Sequence, residues 1–246
     1  MSSESTIFGI HAVIEAVNAG TPIGKVLVRQ GLSGPLALEM MGLLKHHGIP
    51  VQHVPAEVFA KFGQRNHQGV AAQVGTVPTL QLEELVGQLQ AEARQPFLLL
   101  LDRITDVRNF GAIARTAECA GINGIVVPAK GAASLGPDAV KTSAGALLHV
   151  PICRVGSLKM AIGFLREQGI RIAAATEKAQ QPIYTASLRG PLAIVMGAED
   201  RGISPEVLRM ADMQVQIPIM GQIGSLNVSV AAGVVIYEAI RQRKFQ

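Results

Sequence analysis

Pro96-Phe97-Leu98-Leu99-Leu100-Leu101-Asp102 is an unbroken apolar run closed by a helix breaker on one side and an acid on the other. It is short for a helix and shows no polar alternation. It therefore reads as a strand buried on both faces, as parallel sheets require. Comparable runs follow at Gly124-Ile-Val-Val127, Ile170-Arg-Ile-Ala-Ala-Ala175, Leu192-Ala-Ile-Val-Met196 and Met213-Gln-Val-Gln-Ile217, and helical stretches at 109–121, 157–168 and 204–211 alternate with them. Such alternation predicts an α/β domain with a doubly wound sheet and helices on both faces. A last helix is expected from about Ser225 to Arg243, with a wide apolar stripe of Val228, Ala231, Ala232, Val235, Ile236, Ala239 and Ile240.

Upstream, residues 1–74 read as a small α/β unit. Helix signals lie near His11 to Asn18 and Leu36 to His47, strands at Lys25–Arg29, Ile49–His53 and Gly69–Val74, and a further helix starts at Ala56. Between the units, residues 75–95 break at Pro78, turn amphipathic and acidic at Gln81 to Ala93, and stop at Pro96; they read as a linker with a short helix. Two domains are thus expected, 1–74 and 96–246.

The 246 residues are 48% hydrophobic and 16% charged, which excludes a disordered or fibrous chain. No apolar stretch is long enough to span a bilayer, and Met1-Ser-Ser-Glu-Ser-Thr6 lacks the basic and apolar run of a secretory signal, so a cytoplasmic protein is expected. Cys119 and Cys153 form no metal-ligating spacing and are expected to be small buried hydrophobes. The net charge of +4 comes mostly from residues 95–246, with sixteen Lys/Arg against eleven Asp/Glu, an excess that permits nucleic-acid binding without demanding it. No metal is expected. His11, His46, His47, His53 and His67 lie in the first unit without ligand spacing on one helix face and read as surface residues.

Open α/β sheets bind ligands where loops leave the carboxyl ends of strands. Three such loops stand out: Asp102 to Arg115, including Asn109; Met196-Gly197-Ala-Glu199-Asp200-Arg201-Gly202; and Ile217-Pro-Ile-Met-Gly221-Gln-Ile-Gly224-Ser225-Leu226-Asn227-Val-Ser229. Neither GxGxxG nor GxxxxGK[ST] occurs, which argues against a Rossmann dehydrogenase or a P-loop kinase. There is no Gly-x-Ser-x-Gly elbow, and no histidine near Ser225 in sequence serves as its base.

The motifs Asn109-x-Gly-Ala-x-x-Arg115-Thr-Ala, Val195-Met-Gly197-Ala-Glu199-x-x-Gly202, and Ile217-Pro with Ser225-Leu-Asn227-Val-Ser229 resemble the three motifs of SpoU-type RNA ribose 2'-O-methyltransferases. Ile7-Phe-Gly9-Ile-His11-Ala-Val and His67-Gln-Gly69-Val resemble the substrate-binding domain of family members that methylate a guanosine in 23S ribosomal RNA. The likeness covers nearly the whole chain; Asp200-Arg201 is its main variation. The resemblance implies a trefoil-knotted SPOUT methyltransferase domain, a ribosomal-protein-L30e-like RNA-binding domain, and a homodimer paired through the last helix with each site completed by both subunits. It further implies S-adenosyl-L-methionine as cofactor, held by main-chain groups at Gly197, Ile217 and Leu226. Arg115 would engage the target phosphate and 2'-hydroxyl, Asn109, Glu199 and Asn227 would orient Arg115 and the ribose, and Ser225 would contact ribose or phosphate.

Each of these residues also has a purely structural reading. Asn109 and Ser225 suit helix N-caps, Arg115 a solvent-facing helix position, Glu199 a loop acid or a cap near Ser204, and Asn227 a first helical turn. The stripe of the last helix suits a core as well as a dimer seam. Two rival functions stay open: a tRNA methyltransferase of the same family, and a non-catalytic RNA-binding protein. With no Trp, and with Phe8, Phe59 and Phe62 as its only aromatics, the first domain is expected to be a poor stacking platform that relies on shape and phosphate contacts.

Overall fold

The computed structural model describes residues 5–18, 20–63, 65–74 and 77–245; Met1 to Glu4, and Gly75 and Thr76 where the linker was expected to begin, lie outside the described residues. In the first domain the chain runs β1 (Ser5–Phe8), α1 (Ile10–Asn18), β2 (Ile23–Arg29), α2 (Pro35–His46), β3 (Val51–Val54) and β4 (Val70–Val74). The sheet order is β1-β4-β2-β3, with β2 and β3 parallel and the other pairs antiparallel. One face packs Val26, Val28, Val70 and Ala72 against Val13, Val17, Met40 and Leu44 of the helices. The other face is smaller: Leu27, Val54 and Ala71 meet Phe59. The helix expected from Ala56 is a 3-10 turn over Ala56–Phe62.

The second sheet has eight strands, all paired in parallel, in the order β10-β12-β9-β11-β6-β7-β8-β5. Its elements are β5 (Thr79–Leu80), α3 (Leu82–Ala91), β6 (Phe97–Asp102), α4 (Val107–Cys119), β7 (Gly124–Pro128), α5 (Pro137–Thr142), β8 (Ile152–Val155), α6 (Leu158–Glu167), β9 (Arg171–Ala175), β10 (Gln181–Pro182), β11 (Leu192–Gly197), α7 (Pro205–Leu208), β12 (Met213–Gln216) and α8 (Val228–Lys244). All six residues of β6 are buried, as its sequence demands. Leu99 and Leu101 face the core shared with α4 and α8, while Leu98 and Leu100 face the core shared with α3 and α6. This period-two division of an all-apolar strand is what a sheet covered on both faces requires.

Residues 79–91, expected within a linker, are part of the second layer structure. β5 extends the sheet edge beside β8, and Leu82, Leu85, Val86 and Leu89 of α3 are buried on it. β11 enters between β6 and β9, and β12 between β9 and β10, so late strands are inserted between earlier ones. The stripe of α8 is core: Val228, Ala232, Val235, Ile236 and Ala239 are buried. Its far end is fastened by Gln242, which accepts from Leu188 N at 2.8 Å and donates to Ala186 O at 3.0 Å.

Cys153 matches expectation, and its burial, with the Glu83 and Glu84 charges, pushes its thiol up to about 11. Cys119, expected to be buried, is exposed at the end of α4. No described helix is long and apolar enough to cross a membrane, and no metal-ligating cluster occurs among the described residues.

α4 reaches its neighbours through Gly111. A Cβ there would lie 2.2 Å from Thr142 Oγ1 and 2.7 Å from the Thr142 carbonyl carbon, while Thr142 Oγ1 donates to Val107 O at 3.0 Å. Gly111→Ala must push α5 off α4, so despite alanine's better helix propensity it should destabilise the chain by about 1–3 kcal/mol. Chemical denaturation checks this; an unchanged midpoint would contradict the close approach.

Candidate active site

The β6–β11 pairing ends with Gly197 opposite Asp102, so the loops leaving both strands start side by side. After β11 the chain reverses tightly: Gly202 N donates to Ala198 O at 2.7 Å and the two residues form an antiparallel bridge. The returning backbone lies where a side chain at 197 would be, with Gly202 C and Ile203 N each 2.2 Å from an ideal Cβ position. Only glycine admits that approach.

The β6 loop holds this reversal. Buried Asp102 accepts from Ser204 N at 2.7 Å, and Arg103 Nη2 donates to Gly202 O at 3.0 Å, with Arg103 Nε 3.5 Å from Asp102 Oδ1. Arg103 does so from a left-handed backbone, φ 62°, which costs a non-glycine residue about 1–2 kcal/mol. The sequence places Asp102 and Arg103 at the start of the first candidate loop but assigns neither of them a role. Asp102 ends a buried strand, a position that signals function in this fold; nothing in the sequence announced the conformation of Arg103.

Two clefts flank the reversal. The first, about 320 Å3, lies at the carboxyl ends of β9, β11 and β12. Gly197, Ile217 and Leu226, the three positions expected at the cofactor, all line it, as does Ser225. So do Thr176, Glu177 and Lys178 after β9, which had not been singled out although they too follow a parallel strand. Among the described residues, no backbone hydrogen bond joins residues 219–226 to the rest of the main chain. The second cleft, about 340 Å3, runs from Arg103, Thr105 and Asn109 to Glu199 and Asp200. Ala198, Glu199, Asp200 and Val228 border both.

Asn227 ties the three motifs together. It is the N-cap of α8: its Oδ1 accepts from Ser229 N at 3.0 Å and from Ser229 Oγ at 2.6 Å. With the oxygen so committed, the amide nitrogen points the other way, donating to Asn109 Oδ1 at 3.0 Å and reaching Glu199 Oε2 at 3.4 Å. Asn109 therefore accepts with its oxygen and keeps its NH2 for the second cleft.

Several structural readings fall here. Asn109 is not the cap of α4; Asp106 is, accepting from Arg108 N at 2.9 Å and Asn109 N at 2.8 Å. Ser225 lies ahead of the helix that Asn227 caps. Ser204, not Glu199, is the N-cap residue of α7.

Arg115 stands apart from the other four. It is exposed on α4 and lines neither cleft. Six residues beyond Asn109, it is about 9 Å further along the helix and about 120° around it. Asn109, Glu199 and Asn227 thus orient one another rather than Arg115 of the same chain.

Comparison with known proteins follows this division. The family model described as the SpoU rRNA Methylase family matches residues 96–237, and that for RNA 2'-O ribose methyltransferase substrate binding matches residues 6–79. The chain is 37% identical over 247 residues to the 23S rRNA (guanosine-2'-O-)-methyltransferase RlmB of Shewanella oneidensis, covering 99% of this chain and 100% of that one. The crystal structure of the SpoU methyltransferase AviRb from Streptomyces viridochromogenes, in complex with the cofactor AdoMet, is 26% identical with a TM-score of 0.69, covering 97% of this chain and 90% of that one. A TrmH/SpoU tRNA modifying enzyme of A. aeolicus, 27% identical with a TM-score of 0.53, covers 66% of this chain and 84% of its own.

The Arg103 contact yields a prediction that separates loop order from global stability. Arg103→Gly removes both the left-handed strain and the bond to Gly202 O, effects of similar size and opposite sign. The melting temperature should therefore shift by only a few degrees, while hydrogen exchange at the Gly202 and Ser204 amides should quicken at least ~10-fold. Unchanged exchange would mean that Arg103 does not hold the reversal.

Proposed function

Because the chain belongs to the SpoU rRNA methylase family, we propose that its two clefts bind S-adenosyl-L-methionine and a target nucleotide side by side, for methyl transfer to the ribose 2'-hydroxyl of a guanosine in 23S ribosomal RNA. The observation that carries this reading is the shared rim: Glu199 borders both clefts and is joined through Asn227 to Asn109.

The residues of the first cleft fit the cofactor. Its volume, about 320 Å3, lies in the range of small-molecule sites, its wall has apolar Met196, Ile217 and Leu226 for a flat base, and Gly197 lets the 202–203 backbone close against β11 to form its edge. When bound, the cofactor supplies an electrophilic methyl on a sulfonium, already an excellent leaving group. The protein's task is then positioning, exclusion of water and help with proton loss. The Asn109 amide donates towards the ribose, and the Glu199 carboxylate, fixed by Asn227, accepts from a ribose hydroxyl. Ser225, on the cofactor side, contacts ribose or phosphate.

Arg115 enters from a second copy of the chain, since it lines neither cleft of its own. We place the pairing on the exposed face of α4 and α8, where Val230 and Tyr237 are 53% and 51% exposed, not on the buried stripe of α8. There the Arg115 guanidinium stabilises the developing alkoxide, and the proton leaves late. The order in which late strands enter the sheet is compatible with the trefoil knot that the family resemblance implies.

The N-terminal domain favours ribosomal over transfer RNA as substrate: the substrate-binding family model matches residues 6–79, whereas the tRNA enzyme of A. aeolicus covers only 66% of the chain. A cytoplasmic location accords with that substrate.

Incubation of the protein with S-adenosyl-L-[methyl-3H]methionine and a 23S ribosomal RNA fragment should put label into an alkali-resistant dinucleotide. Label on a base, or none, would overturn the reading. Arg115→Ala should slow single-turnover transfer ~100- to 1000-fold and Arg115→Lys less, with cofactor affinity nearly unchanged in both. A rate in the lysine variant that rises through a new ionisation between pH 6 and 10 would instead make Arg115 a base.

A further inference from the structure

We propose that Phe8, Phe62 and Arg65 form a stacking ledge for one unpaired RNA base, with Arg29 and Lys61 placed for the adjoining phosphates. The proposal rests on the reading of the chain as an RNA methyltransferase and deepens it, because it assigns substrate contacts to individual residues of the first domain. It also departs from the expectation that this domain is a poor stacking platform.

The structure gathers the domain's scattered aromatics into one cluster. Phe59 is 2% exposed and anchors it; the His67 ring stacks on Phe59 at 4.8 Å, and the Phe62 centroid lies 5.9 Å away. Phe62 in turn meets Phe8 edge-on at 5.1 Å. These two rings are only half-buried, and a cation covers each: Arg65 Cζ lies 4.9 Å over Phe8, and Lys61 Nζ 4.9 Å over Phe62. Both cations are exposed, so each ring and its cation form one face open to solvent. Among the described residues no ion pair neutralises Arg29, Lys61 or Arg65.

The loop that presents Arg65 is built to hold its shape. Gly69 N donates to His67 Nδ1 at 3.0 Å, Val70 N to His67 O at 2.7 Å, and Gln68 Oε1 accepts from Ile10 N at the start of α1 at 3.2 Å. Gly69, at φ 76°, lies against Arg29, so that a Cβ would come within 3.0 Å of Arg29 Cβ; Arg29 therefore belongs to the same surface. A guanidinium backed by a ring, with further cations beside it, matches a flat base joined to phosphates. A duplex read by its backbone alone would have no use for the ledge.

The test uses the full chain and fluorescence anisotropy with two RNAs of equal length, a 23S hairpin with an unpaired loop and a fully paired duplex. Loss of one base stack weakens binding about 5- to 150-fold. Phe8→Leu and Arg65→Gln should each do so for the hairpin and leave the duplex unaffected. Lys61→Gln should weaken both and lower the slope of log affinity against log salt by about one. A cooperative thermal melt and circular dichroism matching those of the unaltered protein serve as the check on folding in every variant, and Arg65→Gln changes only an exposed side chain. Wild-type hairpin affinity in Phe8→Leu and Arg65→Gln, or equal losses on both RNAs, would overturn the ledge and leave the RNA reading standing; the latter pattern would indicate backbone binding. Failure of the unaltered protein to bind either RNA, with binding to an acidic protein in its place, would overturn both.

Discussion

No side chain can stand at residue 197, and the catalytic half of the molecule is arranged around that prohibition. β11 delivers Gly197 directly opposite Asp102 of β6, and the chain then folds back so closely that the 202–203 peptide occupies the space a Cβ would fill. The reversal turns one loop into a partition with a cleft on either side, both bordered by Glu199. Asp102 and Arg103 hold the partition from below, at the expense of one strained arginine backbone. Strain of this kind persists only where surrounding contacts over-determine it, and here those contacts are the partition itself.

Asn227 performs the corresponding function for chemistry. A helix cap is ordinarily a local device, but the cap bond decides which end of the amide faces the clefts and so, through Asn109 Oδ1, which end of Asn109 does as well. The residue is therefore both the cap of α8 and the link between Asn109 and Glu199, so the cap reading does not exclude the role that the sequence motif suggests. Sequential asparagine contacts of this type fix hydrogen-bond polarity without any charge being buried.

The parallel strands were legible because each is an apolar run with no polar alternation, and the loops after β6, β11 and β12 were legible because ligands gather at that end of such a sheet. What escaped were elements whose pairing is non-local: β5 and β10 are two residues each, and β8 has only Ile152 and Cys153 fully buried. Residues 79–91 read as a linker because acidic Glu83 and Glu84 and the break at Pro78 mask the four buried residues of α3. Asp106 was passed over as the cap of α4 because Asn109, three positions on, carries the motif. Burial of Cys119 failed because it ends α4 on the exposed side. The separation of Arg115 from its expected partners follows from helical geometry, since a residue six positions on lies about 120° around the helix.

The most direct test is calorimetric titration of S-adenosylhomocysteine into the full chain and into Gly197→Ala, with Gly163→Ala, where nothing lies within 4 Å of an added Cβ, as control. The account predicts one site per chain in the unaltered and control proteins. Gly197→Ala, in material that retains a cooperative melt, should bind at least ~100-fold more weakly, because the 198–203 reversal must open by more than the ångström that separates 2.2 Å from an ordinary contact. Equal affinity in Gly197→Ala, or no binding by the unaltered protein, would contradict it.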